Sequence, residues 1–186
     1  QSTAPSLGGG GGGVGAGMGG SGGGGGGTSF FGISSSGSRF CYIVDMSGSM
    51  SSGNRMGQAI HELTESIKKL PDFARFYVLF YSAGVREPSI QRGWNTARKR
   101  TVDKMIEEFS TIRPKGGTEP MEAFVKAFEL KPAPEVIFFL TDGRISGFTT
   151  EDLRSLMPKR GSIVINTIAF GSDSSQDLLK EISKMT

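Results

Sequence analysis

Oxygen-bearing side chains at three separate places in the chain could together bind a hard metal ion. Asp45, Ser47 and Ser49 alternate with other residues directly after an apolar run, Thr118 follows a Gly-Gly pair, and Asp142 follows a second apolar run. Two carboxylates and three hydroxyls form an all-oxygen donor set, which suits Mg²⁺ first and Mn²⁺ next. Ca²⁺ suits it less well, because the larger Ca²⁺ shell prefers more carboxylate and carbonyl oxygens. Neutral hydroxyls leave such an ion electron-poor, so it should accept an anionic oxygen from outside as a further ligand.

These side chains can meet only if the elements before them end at one edge of the fold. Apolar or aromatic runs predict strands over residues 39–45, 73–81, 135–141 and 162–170, with a short strand over 85–90. Apolar residues at three- and four-residue steps predict helices over residues 56–70, 102–112, 121–128, 150–157 and 178–185. Such alternation indicates an α/β fold: a doubly wound, mostly parallel sheet with helices on both faces.

The predicted sheet brings the two carboxylates together. Ligands of open α/β sheets bind beyond the carboxyl ends of the strands, and in the common order 3-2-1-4-5-6 the strand over 39–45 lies beside the strand over 135–141. Asp45 and Asp142 would then be close, and two carboxylates about 6 Å apart repel by roughly 3 kcal/mol at an effective dielectric constant of 20. We find no Lys or Arg in these loops that would obviously relieve this repulsion, so we expect a cation between the carboxylates.

Each motif alone has a simpler explanation. The loop from Asp45 to Ser49 could be a turn with helix-capping residues, Thr118 could cap the helix that follows it, and Asp142 with Gly143 is an ordinary turn signal. A scaffold domain whose site has no metal role is therefore one alternative. The metal site is favoured because all three motifs lie where the fold would place a ligand.

An enzymatic function is the second alternative. Asp45 could be the nucleophile of a Mg²⁺-dependent phosphatase or phosphotransferase, but haloacid-dehalogenase-like phosphatases carry an acid/base Asp two residues later, where this chain has Ser47. A serine nucleophile would need a base, and His61 lies off the apolar stripe of its helix, where it should be solvated. We therefore expect that the protein is not an enzyme.

The three motifs, in this order, resemble the metal-ion-dependent adhesion site of von Willebrand factor type A domains. The resemblance covers about residues 39–186 and implies a Rossmann-like fold, with bacterial members among the relatives that it fits. It implies that Ser47, Ser49 and Thr118 bind the ion directly, whereas Asp45 and Asp142 act mostly through water. An Asp or Glu of a protein partner would complete the shell, which makes the domain a metal-dependent protein-binding module for adhesion or assembly.

The resemblance is incomplete at the carboxyl end. Family members usually continue beyond the equivalent of residue 186 into a further strand and a final helix, so we expect these two elements to be lacking here. In some members that helix moves when ligand binds, and the sequence leaves open whether residues 39–186 have such an affinity switch without it.

The first part of the chain differs in composition from the rest. Residues 1–38 contain no charged side chain, and 17 of the 29 glycines lie between Gly8 and Gly32. Glycine-rich segments lose much backbone entropy on ordering and bury little, so residues 1–28 are predicted to be a flexible, disordered linker. Residues 29–38, with Phe30, Phe31 and Ile33, are predicted to pack against the edge of the domain formed by residues 39–186.

Charge and cysteine content exclude several classes of protein. A net charge of +3, from 21 Lys and Arg against 18 Asp and Glu, gives no reason to expect a nucleic-acid partner. One Cys and one His exclude a disulfide framework and a four-ligand structural zinc site. No apolar run approaches the roughly 20 residues of a transmembrane helix. The Gly-rich linker suggests a tether to an upstream membrane anchor or another domain, and hence a cell-surface location, but the sequence does not otherwise indicate a compartment.

Overall fold

The computed structural model describes residues 26–159, 162–170 and 175–186. The strands in these ranges are β1 (Gly26–Phe30), β2 (Ile33–Gly37), β3 (Arg39–Asp45), β4 (Arg75–Tyr81), β5 (Val85–Arg86), β6 (Asn95–Thr96), β7 (Val136–Thr141) and β8 (Val164–Ala169). The helices are α1 (Arg55–Lys68), α2 (Lys99–Phe109), α3 (Met121–Glu129), α4 (Thr150–Leu156) and α5 (Gln176–Met185), and a short 3-10 segment, Gly48–Asn54, precedes α1. In the described part of the chain, no helix is both long and apolar enough to cross a membrane.

The central sheet is mostly parallel and has the order β5-β4-β3-β7-β8. β3 pairs in parallel with both β4 and β7, and β8 pairs in parallel with β7, whereas β5 and β6 pair antiparallel with β4. The predicted doubly wound sheet is confirmed, including the neighbouring positions of the strands that end at Asp45 and Thr141. β6 was not predicted, because the pair Asn95–Thr96 has no apolar pattern.

Helices cover both faces of the sheet because successive side chains of each buried strand point to opposite sides. In β3, Tyr42 packs in a cluster with residues of α1 and α2. Its neighbour Ile43 packs in a second cluster with residues of α3, α4 and α5. Both side chains are fully buried, so β3 lies in the middle of the core and the position of its carboxyl end is rigidly defined.

A β-hairpin precedes the sheet, and it was not predicted. β1 pairs antiparallel with β2 through the turn at Phe31 and Gly32, and Phe30 is fully buried against Tyr42 and Phe138. The predicted packing of this segment against the domain therefore takes the form of a paired strand whose aromatic side chain enters the core. Residues 26–28 belong to β1 rather than to the predicted linker, because Thr28 is buried and donates a hydrogen bond to the carbonyl of Ser66 at 2.5 Å. The rest of the predicted linker lies outside the described residues.

Candidate metal centre

Asp45 is the last residue of β3, and the chain holds both of its carboxylate oxygens. Oδ1 accepts a hydrogen bond of 2.7 Å from the backbone N–H of Ser47, and Oδ2 accepts one of 2.8 Å from the hydroxyl of Thr141 at the end of β7. Asp45 has no exposed surface. Thr141 therefore has a part in the site that the sequence did not assign to it, and its position directly before Asp142 at a strand end was the available signal.

Three oxygens lie in a continuous row next to this carboxylate. The hydroxyl oxygens of Ser47 and Ser49 are 3.0 Å apart, and the Ser49 hydroxyl donates to Asp142 Oδ1 at 2.7 Å. Adjacent ligands of an octahedral ion with bonds of 2.0–2.1 Å are about 2.9 Å apart. The spacing of the two serine hydroxyls therefore fits neighbouring corners of an Mg²⁺ or Mn²⁺ shell, with Asp142 hydrogen-bonded to one of them. Ser47 and Asp142 are buried but Ser49 is exposed, so the row is open to solvent at one side.

Backbone hydrogen bonds fasten the loop that carries Thr118 to the loop after β3. The N–H of Gly48 donates to the carbonyl of Gly116 at 3.0 Å, and the N–H of Lys115 donates to the carbonyl of Met46 at 2.8 Å. These two bonds hold the turn of Gly116, Gly117 and Thr118 against the serine loop, the segment 46–49 that follows β3.

Gly143 lies against the hydroxyl groups of both Thr118 and Ser49. A Cβ atom at this position would lie 3.2 Å from Thr118 Oγ1 and 3.5 Å from Ser49 Oγ. The first of these distances is tighter than ordinary van der Waals contact, so a side chain here would push against the Thr118 hydroxyl. The structure thus brings together all five side chains that the sequence proposed as ligands, Asp45, Ser47, Ser49, Thr118 and Asp142.

An arginine neutralises one of the carboxylates, which corrects the expectation that no Lys or Arg relieves their repulsion. Arg55 Nη1 is 2.9 Å from Asp142 Oδ2, and Asp142 has no exposed surface. Arg55 comes from outside the three loops, as the first residue of α1. Gly53 and Asn54, with φ of 57° and 58°, turn the chain into this helix. One usable signal was present in the sequence, a basic residue at the start of the helix that follows the serine loop.

Burial makes two ionised carboxylates at this site electrostatically unfavourable. It raises the pKa of Asp45, and the negative charge of Asp142 adds to this, whereas hydrogen bonds from Ser47 and Thr141 oppose it. Burial also raises the pKa of Tyr81 well above its usual range, with a further contribution from the charge of Asp45. The Tyr81 phenol therefore stays neutral and donates to the carbonyl of Leu140 at 3.3 Å.

Other side chains near the site have structural roles or none. Met46 and Met50, for which the sequence allowed either packing or an exposed contact, are buried in the core under the serine loop. His61 is exposed, as expected. Across the described ranges, no group of three or more His, Cys, Asp or Glu side chains could hold a metal ion. A metal at the candidate centre would therefore depend on its hydroxyl ligands.

Comparison with known proteins identifies the family. A model of the von Willebrand factor type A domain matches residues 39–186, whereas no curated protein matches the chain. The fold is similar to that of a von Willebrand factor type A protein from Catenulispora acidiphila, with 24% identity and a TM-score of 0.70 over 78% of this chain and 36% of that chain. The chain therefore spans little more than a third of that relative.

Two further solved structures share the fold at lower identity. Proximal thread matrix protein 1 from the mussel byssus, with a zinc-occupied MIDAS motif, is 20% identical with a TM-score of 0.62, over 77% of this chain and 38% of that chain. The manganese-loaded TRAP protein of Plasmodium vivax is 17% identical with a TM-score of 0.60, over 80% of this chain and 63% of that chain. Because the family model covers most of the chain and these structures share its fold, the chain belongs to the von Willebrand factor type A domain family.

Proposed function

We propose that this domain binds a divalent cation at the carboxyl edge of its sheet and uses the cation to bind a carboxylate of a partner protein. The observation that carries the proposal is the row of oxygens from Ser47 through Ser49 to Asp142, with spacings of 3.0 and 2.7 Å. Solved structures with the same fold hold zinc in the mussel protein and manganese in TRAP, which supports a divalent cation at this edge. Mg²⁺ is our first choice in this chain and Mn²⁺ the second, because every donor is a hard oxygen.

Some residues of the site would bind the cation directly, and others would supply negative charge near it. Ser47, Ser49 and Thr118 would be the direct ligands, while Asp45 and Asp142 would supply negative charge from positions fixed by Thr141 and Arg55. When bound, the cation would act as a Lewis acid toward an incoming oxygen anion. Solvent reaches the row at Ser49, where a carboxylate from a partner could approach.

The surroundings of Asp45 favour this binding role over phosphoryl transfer. A nucleophilic carboxylate needs one oxygen free and accessible to substrate. Both oxygens of Asp45 accept hydrogen bonds, and the residue has no exposed surface. We therefore infer that Asp45 organises the serine loop and does not attack a substrate.

Titration with Mn²⁺ tests the metal site. Calorimetry and electron paramagnetic resonance should show one bound Mn²⁺ per chain, and the Ser47→Ala/Ser49→Ala variant should lose roughly a hundredfold or more in affinity, since even second-shell changes cost 10–100-fold. Ser51→Ala is the matched control, because Ser51 lies in the same segment but donates to the carbonyl of Gly48. Equal Mn²⁺ affinity of the double variant and the control would contradict the assignment.

The carboxylate step can be tested without knowing the partner. Acetate is the probe, and paramagnetic broadening of its methyl signal reports binding close to Mn²⁺. We compare two samples with the same total Mn²⁺ concentration, one with the wild-type protein and one with the Ser47→Ala/Ser49→Ala variant, which leaves the ion free. The wild-type sample should broaden the acetate signal more. Equal broadening would show that the loaded site does not accept a carboxylate.

A further inference from the structure

We propose that Arg55 makes cation binding and carboxylate binding cooperative, so that it weakens the binding of the cation alone and strengthens the binding of an acidic partner to the loaded site. The inference rests on the proposed function. It adds that Arg55 determines the charge of the ligand that the loaded site prefers. It assigns Arg55 a role of its own, separate from those of the five oxygen donors.

Arg55 and Ser49 contact different oxygens of the Asp142 carboxylate. Asp142 Oδ1 accepts a hydrogen bond from Ser49, and Oδ2 contacts Arg55 Nη1 at 2.9 Å. The guanidinium can therefore stay in place while Oδ1 faces a cation, since the two do not compete for the same oxygen. The side chain of Arg55 is 25% exposed and that of Asp142 is fully buried, so solvent screens this ion pair less than a surface pair.

The charge count of the site shows what Arg55 changes. With both carboxylates ionised, Asp45 and Asp142 contribute two negative charges, Arg55 contributes one positive charge, and the hydroxyl donors are neutral. The site without a cation is thus singly negative, and a divalent cation makes it singly positive. Among the described residues, Arg55 is the one cationic side chain within 4.0 Å of either carboxylate. Without Arg55, the loaded site would be neutral.

This difference of one charge determines which ligand the loaded site prefers. An uncompensated positive charge is costly in a site with buried walls. One carboxylate ligand carries a single negative charge and therefore neutralises the loaded site. A neutral loaded site would have no comparable preference for a carboxylate over water. Arg55 also repels the cation, so the cation alone binds less tightly than the two carboxylates would otherwise allow.

The chain fixes Arg55 in this position by local backbone structure. Asn54 has a φ of 58°, which costs free energy in a residue other than glycine and persists only where the surrounding structure enforces it. This turn ends the 3-10 segment and starts α1 at Arg55.

The test is the affinity for Mn²⁺ with and without acetate at constant ionic strength, measured for the wild type and Arg55→Met. In chloride alone, Arg55→Met should bind Mn²⁺ about tenfold more tightly, because removing a unit positive charge one carboxylate away from the cation has an effect of this order even at the dielectric constant of water. Acetate at about 0.1 M should at least double the apparent Mn²⁺ affinity of the wild type, by reciprocal linkage. It should raise that of Arg55→Met by a smaller factor.

Two controls separate the charge from other effects. Arg144→Met removes the same charge from an exposed residue two positions after Asp142 and should behave like the wild type. Arg55→Lys keeps the charge and should keep the acetate effect. Circular dichroism checks folding, and Arg55→Gln, which can still donate to Asp142, replaces Arg55→Met in the same comparison if the latter does not fold without metal.

The outcomes distinguish this inference from the proposed function. If the wild type binds Mn²⁺ but Arg55→Met shows the same affinity and the same acetate effect, the role of Arg55 is overturned and the metal site stands. If the wild type does not bind Mn²⁺ at all, the proposed function fails and the inference fails with it. Tighter Mn²⁺ binding together with a reduced acetate effect in Arg55→Met, and not in Arg144→Met, supports the inference.

Discussion

The position of Asp45 at the end of β3 has two opposing effects: its carboxylate organises the loop that follows, and its buried charge lowers stability. Its carboxylate is fully buried, accepts hydrogen bonds from Ser47 and Thr141, and lies close enough to Asp142 for the second charge to raise its pKa further. A pKa raised in the folded state means that ionised Asp45 lowers the stability of the fold near neutral pH. The residue that organises the serine loop therefore destabilises the metal-free protein.

Asp45→Asn should separate these two consequences. At pH 7.5 in EDTA, the variant should unfold a few degrees higher than the wild type, because the amide removes a buried charge and can still accept the Ser47 N–H bond. Its affinity for Mn²⁺ should fall about tenfold or more, as for other residues that support metal ligands. Thermal unfolding and calorimetry measure the two effects. A variant that is less stable in EDTA would show that the hydrogen bonds of the carboxylate outweigh its burial.

The sequence was sufficient to predict that the oxygen-bearing side chains meet, but not to identify the residues that hold them. Asp45, Ser49 and Asp142 could be predicted to meet because strand ends define one edge of a parallel sheet. Arg55 and Thr141 could not be assigned, since their roles depend on the direction of a side chain at the start of α1 and at the end of β7. Element periodicity does not determine those directions.

Among the elements, β2, β3 and β7 meet at the edge of the sheet opposite the candidate metal centre. Glu135, directly before β7, accepts a hydrogen bond of 2.6 Å from the N–H of Ser38 and contacts Arg39 Nη2 at 2.6 Å. Burial alone would raise the pKa of Glu135, but the hydrogen bond from Ser38 and the charge of Arg39 outweigh it and lower the pKa. The ionised carboxylate therefore joins the connection between β2 and β3 to β7.

Replacing Glu135 by Gln should make this junction less sensitive to pH. A lowered pKa in the folded state stabilises the protein above the ordinary Glu pKa of 4.5, and this contribution is lost as the pH falls through the lower folded value. Glu135→Gln should therefore cost less than about 1 kcal/mol at pH 7, because solvent screens this partly exposed ion pair, with a difference from the wild type that shrinks below about pH 4.5. Urea unfolding at several pH values measures it.

A second glutamate provides the control for this experiment. Glu181 lies exposed in α5, and Glu181→Gln removes the same charge from the chain. This variant should differ little from the wild type at any of the pH values. A cost at Glu135 that stays constant with pH would mean that packing, not the ionised carboxylate, stabilises the junction.

Element prediction succeeded where periodicity was long and failed where an element was short or polar. The predicted strand over residues 39–45 matches β3 at both ends, because seven mostly buried positions leave a continuous apolar run. The β1–β2 hairpin escaped prediction, since its pairing is made by glycines and serines and its apolar contribution is concentrated at Phe30. Tertiary contacts, rather than local pattern, stabilise that hairpin.

At the scale of the whole molecule, the ordered unit is larger than the part that the family model matches. The match begins at residue 39, whereas Phe30 fills the core beside Tyr42 and Phe138. The hydroxyl of Thr28 also contacts that of Ser66 in α1, at 3.1 Å. The hairpin therefore contributes to the stability of the domain that follows it.

A chain of residues 39–186 should be less stable than one of residues 26–186 by at least about 3–5 kcal/mol, the typical cost of emptying a buried Phe site. Urea unfolding followed by circular dichroism measures the difference. Phe30→Ala in the longer chain should account for most of it. Phe73→Ala is the matched control, because Phe73 is 58% exposed and should change stability by less than about 0.5 kcal/mol. Equal stability of the two chains would show that the hairpin contributes nothing to the domain.

The backbone bonds between Gly48 and Gly116 and between Met46 and Lys115 have a kinetic consequence. They join backbone groups to backbone groups, so under the proposed function we expect a cation to meet loops that are already joined and its binding to order little additional chain. The slow event would then be the removal of water from the ion itself, which Mg²⁺ undergoes reluctantly. The rate at which such a domain becomes able to bind a partner would thus depend on how fast the available metal ion loses water. Chelation of the metal would remove this ability without unfolding the protein.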